Sequence, residues 1–143
     1  LVLVSLLGCS NDTGPKCYPV SGIVLLDGKP LAEAEVVFHP PADLERKFPK
    51  PTAQTDVEGR FRLTTQQPFD GAPAGEYMLT VELREPRLAG EEMVRDGANL
   101  LPPRYASPTE SGLRFTVTAG TNEVPTIGCE YVGGLYLCDA ICG

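Results

Sequence analysis

The sequence predicts an all-β fold, a single sandwich of about seven strands. Three observations predict it. Apolar and polar residues alternate with period two in segment after segment, as in strands with one buried and one wet face. The 143 residues include 15 Gly and 14 Pro, a composition rich in turns and poor in long helix. No stretch carries an apolar stripe at helical spacing, and the best candidate, residues 42–47, is cut short by Pro49 and Pro51. The length fits one domain with one core.

The strands expected in chain order are residues 18–26, 34–39, 52–55, 59–65, 75–83, 112–118 and 122–127. The first two are almost continuously apolar, as central strands are. Between them stands Asp27-Gly28, a hairpin signal, because a tight turn demands positive φ and Gly accepts it. Glu58-Gly59 and Asp70-Gly71 punctuate the chain in the same way. In the strand at 59–65, Phe61 and Leu63 point inward between Arg60, Arg62 and Thr64. In 75–83, Tyr77, Leu79, Val81 and Leu83 face in while Met78, Thr80, Glu82 and Arg84 face out. Leu113, Phe115 and Val117 continue the pattern in 112–118. Asp56 stands where its carboxylate caps the turn before Phe61, a reading preferred to a calcium loop, whose oxygen ligands would cluster.

The chain opens on eight uncharged, largely apolar residues, too few to cross a bilayer. They are similar to the hydrophobic part of an export signal. The run ends in Leu6-Leu7-Gly8-Cys9, which resembles the lipobox of bacterial lipoproteins, and polar Ser10-Asn11-Asp12 follows. That resemblance implies a residual signal peptide over 1–8, acylation of Cys9 and a lipidated stalk over 9–17 carrying a sandwich over 18–127. It implies a membrane partner through lipid, with the outer membrane or cell surface favoured over the inner membrane.

Further residues carry a second resemblance. Val20-Ser21-Gly22-Ile23-Val24 through Asp27-Gly28-Lys29-Pro30-Leu31, then Ala34-Glu35-Val36-Val37-Phe38, is similar to the opening of carboxypeptidase-regulatory-like domains. Thr55-Asp56-Val57-Glu58-Gly59-Arg60-Phe61 and Ala74-Gly75-Glu76-Tyr77-Met78-Leu79-Thr80-Val81 are similar to two other recurrent segments of that family. Leu101-Pro102-Pro103-Arg104-Tyr105 with Ser111-Gly112-Leu113 resembles a subgroup of small planctomycete lipoproteins. The resemblance implies a transthyretin-like, Ig-like sandwich with a structural or regulatory role and brings no catalytic residues.

Chemistry read from the residues agrees with a non-catalytic expectation. A net charge of −7 with only 12 Lys and Arg opposes nucleic-acid binding, which needs a basic face. The one histidine, His39, ends a strand before Pro40-Pro41 and reads as a solvated strand-end residue. No nucleophile elbow or zinc-protease helix accompanies it, and no cofactor or metal is expected. The connection over residues 85–110 is long enough to be functional. Its Arg104 and Tyr105 would meet a sugar or a peptide, or the segment folds back over the sandwich edge, the preferred reading. The leading expectation is a structural or protein-interaction module at the cell envelope; the alternative is a carbohydrate-binding module.

Beside Cys9 stand Cys17, Cys129, Cys138 and Cys142, an even count that allows two disulfides in an exported protein. Three connectivities are possible and sequence alone does not choose among them; Cys17 with Cys129 would tie the stalk to the tail and is favoured. A zinc site is disfavoured because no Cys-x-x-Cys pair is present. The Cys-rich tail over 128–143 has the composition of an additional hairpin.

Overall fold

The computed structural model describes residues 14–101, 103–132 and 135–140, with side chains through Cys129. The lipobox-like Leu6–Cys9 run and Cys142 lie outside the described residues, and the side chain of Cys138 does too. The strands are β1 (Cys17–Tyr18), β2 (Val20–Leu26), β3 (Lys29–Pro30), β4 (Glu35–His39), β5 (Thr52–Gln54), β6 (Arg60–Arg62) and β7 (Ala72–Pro73). They continue with β8 (Gly75–Glu82), β9 (Arg87–Ala89), β10 (Glu92–Val94), β11 (Leu113–Val117), β12 (Asn122–Glu123), β13 (Ile127–Val132) and β14 (Leu135–Ala140). A single 3-10 turn, Pro103–Ala106, is the helical element among the described residues.

The protein is an all-β sandwich. One sheet is antiparallel throughout, in the order β11-β8-β4-β5. The other is built on β2. On one side β2 pairs antiparallel with β6 and β3; on the other it pairs parallel with β12 and β13, and β14 closes a hairpin outside β13. A bridge between Thr52 and Thr64 links the sheets along one border. Inner residues of both sheets meet as expected from the alternation. Val20, Val24, Phe61, Leu63 and Ile127 pack from one side against Val36, Phe38, Tyr77, Leu79, Val81, Leu113 and Val117 from the other. Phe38 is completely buried, with the rings of Tyr77 and Phe115 at 5.6 and 6.2 Å.

Three features differ from the sequence reading. The Asp27-Gly28 pair does form a tight turn, with φ of 51° and 76°, but the strand it returns is β3, two residues long. The chain then crosses to the other sheet, where β4 pairs with β8. The crossing is fixed by Thr55, whose buried hydroxyl donates to the Leu31 carbonyl and accepts the Ala34 N–H. The long connection is partly structured, holding the exposed hairpin β9–β10 and the 3-10 turn. The last strand breaks in two, and its second part, β13, runs past residue 127 into the tail. Ile127, Gly128 and Cys129 pair with Val24, Leu25 and Leu26, so the tail completes the sheet. As its composition suggested, the tail forms a hairpin, β13–β14.

Candidate functional site

Two of the hollows among the described residues lie over β2 with β6 and beside His39. The first, about 680 Å³, sits over β2 and β6. Strand register builds it: Glu123 lies opposite Ser21 on one side of β2, while Arg62 and Arg60 lie opposite Ser21 and Ile23 on the other. Ser21 and Ile23 are therefore its floor, between a carboxylate flank and a guanidinium flank. On the inner face of the same strand, Gly22 leaves space that the Phe61 ring occupies, since a Cβ there would stand 2.5 Å from Phe61 Cζ.

A loop after β6 adds an aromatic. Phe69 is 55% exposed, and the Arg62 guanidinium lies 4.0 Å from its ring centroid. Phe69 has a φ of 59°, a left-handed conformation that a bulky side chain adopts at a cost of about 1–3 kcal/mol unless its surroundings impose it. The surroundings do so here. Thr64 Oγ1 accepts the Phe69 N–H at 2.9 Å, and the Asp70 carboxylate accepts the N–H groups of Thr65, Gln66 and Gln67 at 2.7 to 3.0 Å. Asp56 performs its expected part at the neighbouring turn, accepting the N–H groups of Glu58 and Arg60.

Partial burial works against charging Asp70, but the N–H groups of Thr65, Gln67 and Gln66 outweigh it and hold the carboxyl below its ordinary value of 3.8. A carboxylate more acidic in the folded state stabilises fully above its unfolded pKa, and that contribution is lost as pH falls through the folded pKa. Asp70→Asn is expected to lower the thermal midpoint at pH 7 by about 4 °C, the equivalent of about 1 kcal/mol. The gap from wild type should narrow below about pH 4. Midpoints recorded from pH 7 to pH 2 check this; a gap that stays constant would remove the ionised carboxylate from the account.

The second hollow, about 580 Å³, lies against the outer face of the other sheet and includes His39, Pro40, Pro41, Met78 and Phe115. His39 is half-buried rather than solvated, and its Nε2 is 2.8 Å from Thr80 Oγ1. Burial, then the nearby Lys50, lower its pKa against the pull of Glu45 and Glu82, favouring the neutral ring. Its exposure differs from the sequence reading because the outer face of a central strand is walled by its neighbours.

The other singled-out residues do not converge on either hollow. Tyr105 is 1% exposed, because the 3-10 turn folds back onto β8. Arg104 donates to its hydroxyl at 2.7 Å and remains exposed, so this pair presents a cation and no aromatic surface. Cys17 is a free thiol, which excludes the favoured pairing with Cys129. It lies on β1, which pairs with β7, and burial followed by the Asp70 carboxylate raise its pKa. Cys129 is buried and is not a free thiol, and its register neighbour is Cys138. Phe69 was not singled out from sequence, although an aromatic wedged between Pro68 and Asp70-Gly71 is a visible signal of a presented side chain.

No family model matches the chain, and no curated protein matches it. Among solved structures it is similar to a DUF3823 family protein from Parabacteroides merdae, at 15% identity and a TM-score of 0.42 over 80% of this chain and 46% of that one. It is also similar to a 9R-lipoxygenase from Cyanothece, at 17% identity and a TM-score of 0.43 over 79% of this chain and 16% of that one. A chlorocatechol 1,2-dioxygenase from Pseudomonas putida matches at 16% identity and a TM-score of 0.32 over 90% of this chain and 59% of that one. The chain thus spans less than two thirds of the length of each.

Proposed function

We propose that the chain is a non-catalytic interaction module of the bacterial cell envelope, held on a membrane by lipid at Cys9. The observation that carries this reading is the Leu6-Leu7-Gly8-Cys9 run, standing shortly before a strand fastened to the sandwich. Cys17 and Tyr18 pair with Pro73 and Ala72, so the domain has a fixed point close to the acylated residue. About eight residues at roughly 3.4 Å each give the connection a reach of at most about 27 Å. Acyl chains contribute about 0.8 kcal/mol per buried methylene, so several of them hold the protein without help from the domain. The acidic excess of the chain is in keeping with a domain that stays off an anionic surface. The non-catalytic part rests on His39, whose ring is hydrogen-bonded to Thr80 on a sheet face.

Intact mass and membrane fractionation of the product of the full gene, with Cys9→Ser alongside, test the anchor. The expected wild-type product is acylated, begins at Cys9 and sediments with membranes, and the variant is unmodified and released. An unmodified, released protein from both genes would overturn the anchor.

A further inference from the structure

The hollow over β2 and β6 has the parts of a binding site, and they differ in kind from those of a structural surface. An exposed aromatic is held in a costly left-handed conformation by a hydrogen-bonded loop. The Arg62 guanidinium is stacked on that ring and has no carboxylate partner among the described residues. With its central carbon over the Phe69 ring and no carboxylate beside it among the described residues, the guanidinium keeps N–H groups for a carboxylate acceptor. Across the floor of Ser21 and Ile23 lies the Glu123 carboxylate, an acceptor for hydroxyl groups.

We propose that this trough binds an acidic glycan, a chain bearing uronic-acid sugars, with Phe69 as the face on which a sugar ring packs and Arg62 as the partner of its carboxylate. The hydroxyls of the sugar meet Ser21 and Glu123. Three observations favour a glycan over a peptide or a nucleic acid. The floor is the face of β2, whose backbone is paired on both sides, so an extended peptide finds no free edge to join. Arg62 is the lining cation without a carboxylate partner among the described residues, and it stands with Glu58-paired Arg60 between the carboxylates of Glu123 and Asp56. The trough therefore suits a single carboxylate among neutral sugars, whereas a ligand charged at every unit would meet repulsion from both acids and from a chain of net charge −7. The site combines an apolar face with hydrogen-bonding groups of both signs, as a pyranose with one apolar face and a polar rim requires.

This assignment deepens the interaction-module reading and is independent of lipid at Cys9, so the two fail separately. The test is calorimetric titration of the full chain in detergent with two tetrasaccharides of otherwise neutral sugars, one carrying a single galacturonate and one a single glucuronate, with neutral galactotetraose and tetra-aspartate as comparators. Saturable binding of at least one uronate is expected, about tenfold or more tighter than either comparator. Arg62→Gln and Phe69→Asn should each weaken it at least about tenfold, Asn being chosen because it tolerates the left-handed backbone. Phe69→Tyr should retain it. Absence of saturable binding by both uronates overturns the proposal, as does equal binding of the neutral sugar or of tetra-aspartate, or binding that survives both Arg62→Gln and Phe69→Asn in folded protein.

Discussion

Phe38→Ala is expected to destabilise the domain by about 4 kcal/mol, lowering the thermal midpoint by roughly 15 °C. Phe38 lies on β4, central in its sheet, is wholly buried and touches aromatic rings from both neighbouring strands. Truncation removes the transfer free energy of the ring and leaves a hole that two sheets paired along their strands cannot collapse to fill. Phe38→Leu, which refills much of the volume, should cost less than half as much. Denaturant unfolding of the three proteins checks both numbers. A loss below about 1.5 kcal/mol for Phe38→Ala would mean that the sandwich relaxes around the site.

The second large effect is expected at Gly71. Its φ is 94°, and an added Cβ would run into the carbonyl of Tyr18. Both the conformation and the clash oppose any other residue, because the obstacle is backbone already held in the β1–β7 pairing. Gly71→Ala should cost about 3 kcal/mol or more, combining a strained dihedral with overpacking. Gly28 has a φ of 76° with open space around it, so Gly28→Ala isolates the dihedral cost and should lose only about 1 kcal/mol. Equal losses at the two positions would show that the Tyr18 contact yields freely.

The strands were legible in the sequence because one-sided burial writes itself as alternation. Tyr77, Leu79 and Val81 are inside, and the intervening Met78 and Glu82 face out. The β9–β10 hairpin was not legible for the converse reason. Leu88 and Met93 are 64% and 67% exposed, so no face is buried and no pattern of burial is written. Pairing partners were also hidden. The Asp27-Gly28 turn is local chemistry, whereas the crossing to β4 depends on Thr55, more than twenty residues from Leu31, where it holds the loop. Of the candidate site, residue types were visible but not exposure. Tyr105 reads as a loop aromatic and is core, whereas Phe69, not singled out from sequence, is presented, and the difference lies in which loop is braced by hydrogen bonds to Thr64 and Asp70.

The parallel pairing of β2 with β12 and β13 sets an order of assembly in time. Val24 and Ile127, both wholly buried, are neighbours although roughly a hundred residues separate them. A chain that emerges N-terminus first therefore carries β2 with one flank unpaired until nearly the whole domain has followed. The antiparallel sheet, whose strands β4, β5, β8 and β11 all precede β12, has its members available earlier. Closure of the second sheet is the late event, slow because a long loop must be ordered before its contacts form. Until then one flank of β2, and with it the buried contact between Val24 and Ile127, is without its partner.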